Sequence, residues 1–285
     1  MCTAIFDKNN RLFGRTLDLE HSYGEAVTAT PRGFTFSPRI EKPFTCCFSI
    51  IGMAAVRDGY PLYYDGVNEK GLAMAGLNFP KSACYHDKKE GALNLAPFEI
   101  IPYILGQCQD IGEAMKHLER LNVCDISFSA ELPSTPLHWI AADKSRCIVI
   151  ESVKNGLEIY ENKPRVMTNE PPFPYHLSRL EDFAGLSATE RGGYSRGLSA
   201  YGLPGDFSSF SRFVRAAFLL ENSVTEGDAE NQFFKILDNV SIPRGAVRLE
   251  NGENVITQYS SCMDMEKGIY YYKTYSDSQI QFSAI

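Results

Sequence analysis

Alternating apolar and polar residues mark several short strand-like segments in the first third of the chain. A polar turn at 7–10 separates two of them, residues 2–6 and 11–14, and predicts a β-hairpin at the N-terminus. Further strand-like segments, bounded by Pro or Gly, lie at 26–30, 45–56 and 71–77. This pattern predicts that the chain begins inside a sheet.

Apolar residues three and four positions apart predict four helices. Asp110 is the expected N-cap of the second helix, with Glu113 three residues on, as in a capping box. The four helices are expected at 96–108, 111–121, 210–220 and 229–240.

Strand patterns return between and after these helices, and a Pro-rich turn is expected at 170–174. Blocks of strands alternate with blocks of helices, without a strict β-α-β order. The sequence therefore predicts a layered α+β fold with antiparallel sheets. The later strands are expected at 137–142, 147–153, 156–160, 165–168, 255–261 and 268–275.

We expect one domain over residues 1–285. A chain of 285 residues, 44% of them hydrophobic, can bury a large core, and it shows no internal repeat or low-complexity linker. The Gly- and Ser-rich stretch at 185–205 is the expected place for a long excursion from that core.

Composition argues against nucleic-acid and membrane partners. The formal net charge is −7, and the 28 basic residues are scattered, without the Lys/Arg run that binds phosphate backbones. The first residues carry no secretory signal, and no apolar stretch approaches the ~20 residues that span a bilayer. We therefore expect a cytoplasmic protein.

The eight cysteines lack the spacing of a metal or redox motif. No C-x-x-C pair occurs, and the acidic residues also show no metal-ligand spacing, so no metal is expected. Most of the cysteines are expected to be small buried hydrophobic residues. Those in apolar runs are Cys46, Cys47, Cys108, Cys124 and Cys147.

Cys2 differs from the others because it follows the initiator Met1. If Met1 is removed, one residue carries both a thiol, with an ordinary pKa near ~8.5, and a free α-amine, with a pKa near ~8. The amine can then act as base toward its own nucleophile. On position alone, a small residue that happens to follow the start codon is the simpler interpretation.

Arg15 and Asp18 follow the second predicted strand, and a hairpin return would bring both close to Cys2. A guanidinium there favours the thiolate, and a carboxylate can hold the α-amine in position. The alternative is a surface ion pair at a strand end.

Asn78 and Asn169 each end a predicted strand, and each has a proline two residues on. An Asn in this position is most often a turn former, but its amide and the neighbouring backbone N–H are also donors suited to an oxyanion. Arg212 is expected near the start of a helix, where the helix dipole disfavours a cation, so another partner is indicated. A solvated surface Arg is the commoner case. His138 is interpreted as a hydrogen-bonded core residue, not a catalyst.

Together these segments resemble the choloylglycine hydrolase family, which includes conjugated bile salt hydrolases and penicillin V acylases. The resemblance extends over nearly the whole chain, and the order and spacing of the segments make it specific. The segments are MCT at 1–3, GRTLD at 14–18, DGVNEKGL at 65–72, AGLNFP at 75–80, LHW at 137–139, TN at 168–169, GLPGDF at 202–207, SRF at 211–213 and TQY at 257–259.

The resemblance implies an N-terminal nucleophile hydrolase with a four-layer αββα sandwich, two antiparallel sheets covered by helices. Such an enzyme cleaves the amide between a bulky acyl group and a small amine, without a metal or cofactor. The family's nucleophile falls on Cys2, exposed by removal of Met1. The other catalytic positions fall on Arg15, Asp18, Asn78, Asn169 and Arg212.

The expected substrate is a glycine- or taurine-conjugated bile acid, because Asn78 stands where penicillin V acylases of the family tend to carry Tyr. Penicillin V or another N-acyl amide is the alternative substrate, and a catalytically silent small-molecule binder is the alternative of another class. The family is often tetrameric, and the stretch at 187–201, where it builds subunit contacts, is the least familiar part of this chain. Residues expected to line the acyl pocket are Leu19, Phe79, Ile126 and Leu132.

Overall fold

The computed structural model describes residues 1–189 and 199–285, and its main feature is a pair of large antiparallel sheets packed face to face. Strands and helices are numbered in chain order. Within the described residues, sheet I runs in the order β15 (Val166–Met167), β1 (Cys2–Asp7), β2 (Leu12–Leu19), β17 (Asn254–Asp264), β18 (Ile269–Thr274) and β19 (Gln281–Ala284), with β16 (Val247–Arg248) paired to β17.

Sheet II is also antiparallel, and two small ladders lie outside both sheets. Sheet II runs in the order β14 (Gly156–Glu161), β13 (Cys147–Val153), β12 (Leu137–Ala142), β9 (Ala73–Asn78), β8 (Asp65–Asn68), β6 (Ile50–Arg57) and β3 (Ala26–Thr30), with β7 (Tyr60–Tyr63) paired to β6. The small ladders are β4 (Thr35–Phe36) with β5 (Phe44–Thr45), and β10 (Leu93–Leu95) with β11 (Leu121–Val123).

Helices cover the outer face of each sheet. Among them, α1 packs on β6, β8 and β9 of sheet II, whereas α4 packs on β1 and α5 on β2 and β17 of sheet I. The helices are α1 (Ile100–Gln107), α2 (Ile111–Leu118), α3 (Phe173–Leu180), α4 (Ser209–Glu221) and α5 (Ala229–Asp238), with 3₁₀ turns at Pro97–Glu99 and Glu181–Phe183. The layers are therefore helix, sheet, sheet, helix, which confirms the predicted αββα sandwich.

Side-chain alternation along each strand divides the core into two parts. In β9, Ala75 and Leu77 belong to the core between the sheets, whereas Met74 belongs to the core under α1 and α2. In β12, Ile140 faces the other sheet and Trp139 faces the helices. Because both faces of such strands are covered, β1 is buried along its whole length and has no solvent face.

Several predicted boundaries were wrong. The second strand does not stop at residue 14, so Arg15 and Asp18 lie inside β2 and not after it. Pairing with β1 on one side and β17 on the other carries the strand through these polar residues. The strand predicted at 45–56 is interrupted after Thr45, where the backbone N–H of Cys47 donates to the Gly106 carbonyl.

Other differences concern helix ends and turns. The first helix begins as a 3₁₀ turn, and the second ends at Leu118, so that the chain can form β11. Asp110 is its N-cap, as predicted, and accepts from the Glu113 backbone N–H at 2.9 Å. The Pro-rich turn at 170–174 runs directly into α3, which the sequence did not predict. Cys47 is exposed, whereas the other four cysteines of the apolar runs are buried.

The stretch at 185–205 is described only in part, and residues 190–198 lie outside the described residues. The predictions made for 187–201, as a departure from the family and as a subunit contact, fall largely on that gap.

Candidate active site

Cys2 is the first residue of β1, and its side chain lies between the two sheets with 2% of the residue exposed. The β1–β2 register places Arg15 opposite Ala4, two residues beyond Cys2 and on the same face. The Nη2 of Arg15 donates to the Cys2 Sγ at 2.6 Å. The hairpin therefore brings a guanidinium onto the sulfur.

The rest of the Arg15 guanidinium connects sheet I to sheet II. Nη1 donates to the carbonyls of Gly76 at 2.6 Å and Tyr64 at 3.2 Å. Burial acts to lower the pKa of Arg15, but its electrostatic interactions with Cys2, Tyr259 and Asp65 outweigh that effect and the pKa is raised overall. Nε donates to the Thr16 carbonyl at 3.1 Å, so Arg15 is a permanent cation fixed by four hydrogen bonds.

Asp18 lies beside the N-terminus and is fully buried. Its carboxylate accepts from the hydroxyls of Thr257 at 2.7 Å and Thr16 at 3.2 Å. Burial raises the pKa of Asp18, against the positive charges of Arg212 and the N-terminus. Its backbone pairs with Met1, whose α-amine donates to the Asp18 carbonyl at 2.6 Å and whose carbonyl accepts from the Asp18 N–H at 2.9 Å.

Asn169 is the centre of the hydrogen-bond network. Its Oδ1 accepts from the Cys2 backbone N–H at 2.8 Å and from Arg212 Nη2 at 2.8 Å. Its Nδ2 donates to the Asn78 carbonyl at 2.8 Å. With two donors on one side and an acceptor on the other, these partners fix the orientation of the Asn169 amide. With Met1 attached, the Cys2 peptide N–H is thus held by Asn169, a contact that the sequence did not predict, whereas the predicted role of Asp18 concerns the free α-amine that removal of Met1 would create.

Arg212 lies in the first turn of α4 and is fully buried. Besides Asn169, Nη1 donates to the Cys2 carbonyl and to the Thr3 hydroxyl, the latter at 2.7 Å, and Nε donates to the Phe207 carbonyl at 3.0 Å. The sequence indicated a partner for Arg212, because a cation near a helix N-terminus is disfavoured by the helix dipole, and these acceptors are that partner set.

Two buried histidines support the backbone around Asn169. The Nε2 of His138 lies 2.8 Å from the Thr168 carbonyl, and its Nδ1 lies 3.0 Å from Glu151. The Nε2 of His176 donates to the Asn169 carbonyl at 3.0 Å, because a carbonyl oxygen can only accept. Burial lowers the pKa of His176 to about 4, so the ring is neutral at pH 7. His138 is the hydrogen-bonded core residue that was predicted. His176 was missed, because α3 was not predicted.

The residues predicted to line the acyl pocket lie in different surroundings. Leu19 ends β2, and Ile126 and Leu132 belong to the segment that leads into β12; all three are half-buried. The Phe79 N–H donates to the Pro136 carbonyl at 2.8 Å, which brings the end of that segment to the residue after Asn78. Phe79 itself is fully buried, and its ring stacks on His138 with the centroids 4.2 Å apart, so it packs inside the protein.

Comparison with known proteins decides the family. The family model described as linear amide C–N hydrolases, choloylglycine hydrolase family, matches residues 2–285. The chain belongs to the choloylglycine hydrolase family. The predicted family and the predicted class of enzyme, a hydrolase of linear amides, are thereby confirmed.

Relatives from this family match over almost their full length. A bile salt hydrolase/transferase from Lactiplantibacillus plantarum is 47% identical, over 98% of this chain and 91% of the relative. One of the same name from Clostridium perfringens is 37% identical, over 98% of this chain and 91% of the relative.

Solved structures match the whole described architecture. The C2A mutant of the conjugated bile acid hydrolase from Clostridium perfringens superimposes with a TM-score of 0.93 at 35% identity, covering 100% of this chain and 92% of the other. A penicillin V acylase from Agrobacterium tumefaciens has a TM-score of 0.80 at 20% identity, covering 100% of this chain and 86% of the other, which shows a shared fold.

The described residues form neither a metal-binding cluster nor a membrane-spanning helix. Among residues 1–189 and 199–285, no group of three or more His, Cys, Asp or Glu side chains is placed to hold a metal ion. No helix in those ranges is long and apolar enough to cross a membrane.

Proposed function

We propose that this member of the choloylglycine hydrolase family hydrolyses conjugated bile salts, releasing glycine or taurine. The observation that carries the proposal is the contact between the Arg15 guanidinium and the Cys2 sulfur, next to a Cys2 nitrogen held by Asn169. The names of the relatives from Lactiplantibacillus and Clostridium support the choice of substrate.

The proposed reaction begins with removal of Met1, which turns the Cys2 nitrogen into a free α-amine. The Cys2 thiol gives its proton to this amine, and the sulfur attacks the amide carbonyl. When the tetrahedral adduct collapses, the C–N bond breaks and the α-amine returns the proton to the leaving amine. Water then hydrolyses the thioester and restores the thiol. A free amine in place of water would accept the acyl group and form a new amide, and the names of both relatives include the word transferase.

Two asparagines are the proposed oxyanion donors. Asn169 Nδ2 has two N–H groups and uses one of them on the Asn78 carbonyl. We assign the second N–H, together with a donor of Asn78, to the oxyanion, where each donor contributes on the order of 3 kcal/mol. The Asn169 donor need not reorganise, because Asn169 is fixed by Cys2 and Arg212 before substrate binds.

The three charged residues have separate proposed roles. Arg15 stabilises negative charge on the sulfur, and Asp18 supplies the negative charge next to the new α-amine. Arg212 holds Asn169 and the backbone of Cys2 in place. Leu19, Ile126 and Leu132 are the proposed contacts of the acyl group, in line with the apolar lining of small-molecule sites.

Replacing the nucleophile tests the proposal. Cys2→Ala should abolish turnover of glycocholate and taurocholate while the circular dichroism spectrum and melting temperature stay close to those of the parent. Intact mass should show the parent without Met1. Cys47→Ala is the matched control, because Cys47 is an exposed thiol outside the site and its removal should leave the rates unchanged.

The same assay decides between substrates and between classes. Rates are measured on glycocholate, taurocholate and penicillin V at equal concentration. Preference for penicillin V would overturn the bile salt assignment and leave the amide hydrolase mechanism standing. Binding of bile salt without turnover, by a protein shown to lack Met1, would instead favour the non-catalytic binder.

We further propose that the protein acts in the cytoplasm as a homo-oligomer, with a tetramer favoured by its family. The residues expected to make subunit contacts fall partly outside the described residues, so this proposal stands on the family alone. The net charge of −7 and the scattered basic residues support the absence of a nucleic-acid partner.

A further inference from the structure

The two asparagine-bearing segments are joined at a second place, by a residue that follows Asn169 directly. Glu170 lies three residues after the end of β15, and its carboxylate contacts the turn that follows β9. Its Oε1 accepts from the backbone N–H groups of Lys81 and Ser82, both at 2.8 Å, and its Oε2 accepts from the Ser82 hydroxyl at 2.7 Å.

This contact closes a ring with the one already described. Asn169 Nδ2 holds the Asn78 carbonyl at 2.8 Å, and the next residue, Glu170, holds the amides three and four positions beyond Asn78. Asn169 and Glu170, which are neighbours in sequence, thus bind the two ends of one short turn at 78–82. The bond from the Phe79 N–H to the Pro136 carbonyl holds the strand side of this turn, and Glu170 holds its far side, three and four residues beyond Asn78.

The Glu170 contact is strong for its position. Hydrogen bonds from backbone N–H groups to a carboxylate are about twice as strong as neutral ones. The turn has its own internal bond, from the Ala83 N–H to the Phe79 carbonyl at 3.1 Å, so Glu170 acts on a unit that is already ordered. Fixing that unit fixes the end of β9, where Asn78 lies.

We propose that Glu170 is a positioning residue for the oxyanion donors: it sets the distance and angle between Asn78 and Asn169. The inference rests on the proposed function, which assigns the oxyanion to these two residues. Glu170 itself touches neither the thiol nor its guanidinium partner in the contacts described above.

Glu170→Ala tests the inference in the Met1-free enzyme. Displacing a donor costs less than removing one, and removal costs about 100-fold to 1,000-fold in kcat. We expect kcat on glycocholate to fall roughly 10-fold to 100-fold, with KM within about twofold of the parent. The rate of Cys2 alkylation by iodoacetamide should stay unchanged, because that reaction forms no oxyanion.

Two further variants grade the effect. Ser82→Ala removes one of the three bonds and should reduce kcat less than Glu170→Ala does. Glu170→Gln keeps one acceptor oxygen without the charge, so its kcat should recover most of the loss. If Glu170 only stabilised the fold, the loss of kcat in each variant would instead be proportional to the decrease in its melting temperature.

Asp143→Ala is the matched control. Asp143 also binds a turn, between β12 and β13, by accepting from the N–H groups of Ser145 and Arg146, both at 2.8 Å, and from the Ser145 hydroxyl at 2.9 Å. Its second carboxylate oxygen accepts from the Ile111 N–H at the start of α2 at 2.9 Å, so its removal should cost stability. This turn lies at the end of β12 opposite to the one that meets Asn78. Asp143→Ala should lower the melting temperature and leave kcat unchanged.

The outcomes separate the inference from the proposed function. Parental kcat in Glu170→Ala, or equal loss of kcat in Glu170→Ala and Asp143→Ala, overturns the positioning role while amide hydrolysis stands. A parent enzyme without amide hydrolysis overturns the proposed function and the inference together. If Glu170→Ala has a reduced kcat with unchanged KM and alkylation rate, and Asp143→Ala keeps the parental kcat, the proposed function and the positioning role are both supported.

Discussion

At the scale of single residues, each polar side chain of the site is held in one orientation by its hydrogen-bond partners. Asn169 is held on Oδ1 by Cys2 and Arg212 and on its carbonyl by His176. The sequence predicted which residue types would meet here. It could not predict which atoms face each other, since that depends on cross-strand register and on a helix, α3, that the Pro-rich segment concealed.

His176 makes the stability of the fold depend on pH. In the native state the pKa of His176 is lowered to about 4 by burial, whereas in the unfolded chain it returns to about 6.5. Below pH 6.5 the unfolded chain therefore binds a proton that the native state does not, and the free energy of unfolding falls as the pH drops toward 4. The full effect is up to about 3 kcal/mol.

Denaturant unfolding at pH 7, 5.5 and 4.5 measures this dependence. His176→Gln keeps a donor for the Asn169 carbonyl and does not titrate, so its free energy of unfolding should fall less between pH 7 and 4.5 than that of the parent. Parallel curves for the two proteins would contradict the assignment.

At the scale of elements, β2 lies between β1 and β17 in the middle of sheet I and carries both Arg15 and Asp18. Its two charged residues looked like a strand end in sequence. In the structure Arg15 finds acceptors on sheet II and Asp18 finds donors on β2 and β17, so the strand passes through both. Local pattern identified β1 and β9 well, since their apolar residues are continuous. It could not identify where polar residues are satisfied by a distant strand.

Close approach of backbone and helix explains one glycine of β2. A Cβ at Gly14 would collide with the Ser261 carbonyl of β17 and lie 2.9 Å from the Phe233 ring of α5. Gly14→Ala should therefore push β2 away from both neighbours and displace Arg15. We expect a loss of about 3 kcal/mol in the free energy of unfolding, together with a reduced kcat.

Gly205→Ala is the control for that variant, because a Cβ at Gly205 meets nothing within 4 Å. Its free energy of unfolding should stay within about 0.5 kcal/mol of the parent. Equal destabilisation by the two substitutions would show that the packing between β2, β17 and α5 is not what Gly14 preserves.

At the scale of the whole molecule, buried polar groups connect the two sheets. Asp65 of sheet II accepts from the hydroxyls of Tyr259 and Tyr270 of sheet I, both at 2.6 Å, and Arg15 reaches from sheet I to the Gly76 carbonyl. Burial raises the pKa of Asp65, and its hydrogen bonds act against that shift. Separating the sheets would break all three of these hydrogen bonds.

We therefore propose that residues 1–285 unfold as one domain. Trp139, on the helix-covered face of sheet II, reports one side of the molecule by fluorescence, and Cys262, buried in sheet I, reports the other by alkylation and peptide mass spectrometry. The two probes should give the same midpoint in a urea titration. Two separate midpoints would show that the sheets belong to independent units.

Because Met1 pairs with Asp18, the proposed removal of Met1 depends on when it occurs relative to folding. Met1 is tied to β2 by two backbone hydrogen bonds, and the last partner of β2, strand β17, is synthesised some 240 residues later. At ordinary rates of translation this interval is roughly 10 to 50 seconds. Under the proposed reaction an aminopeptidase must remove Met1, and these two hydrogen bonds, once β17 has secured β2 in the sheet, oppose its access to the N-terminus. For the proposed enzyme we therefore expect removal of Met1 to be easiest during synthesis, before the fold is complete.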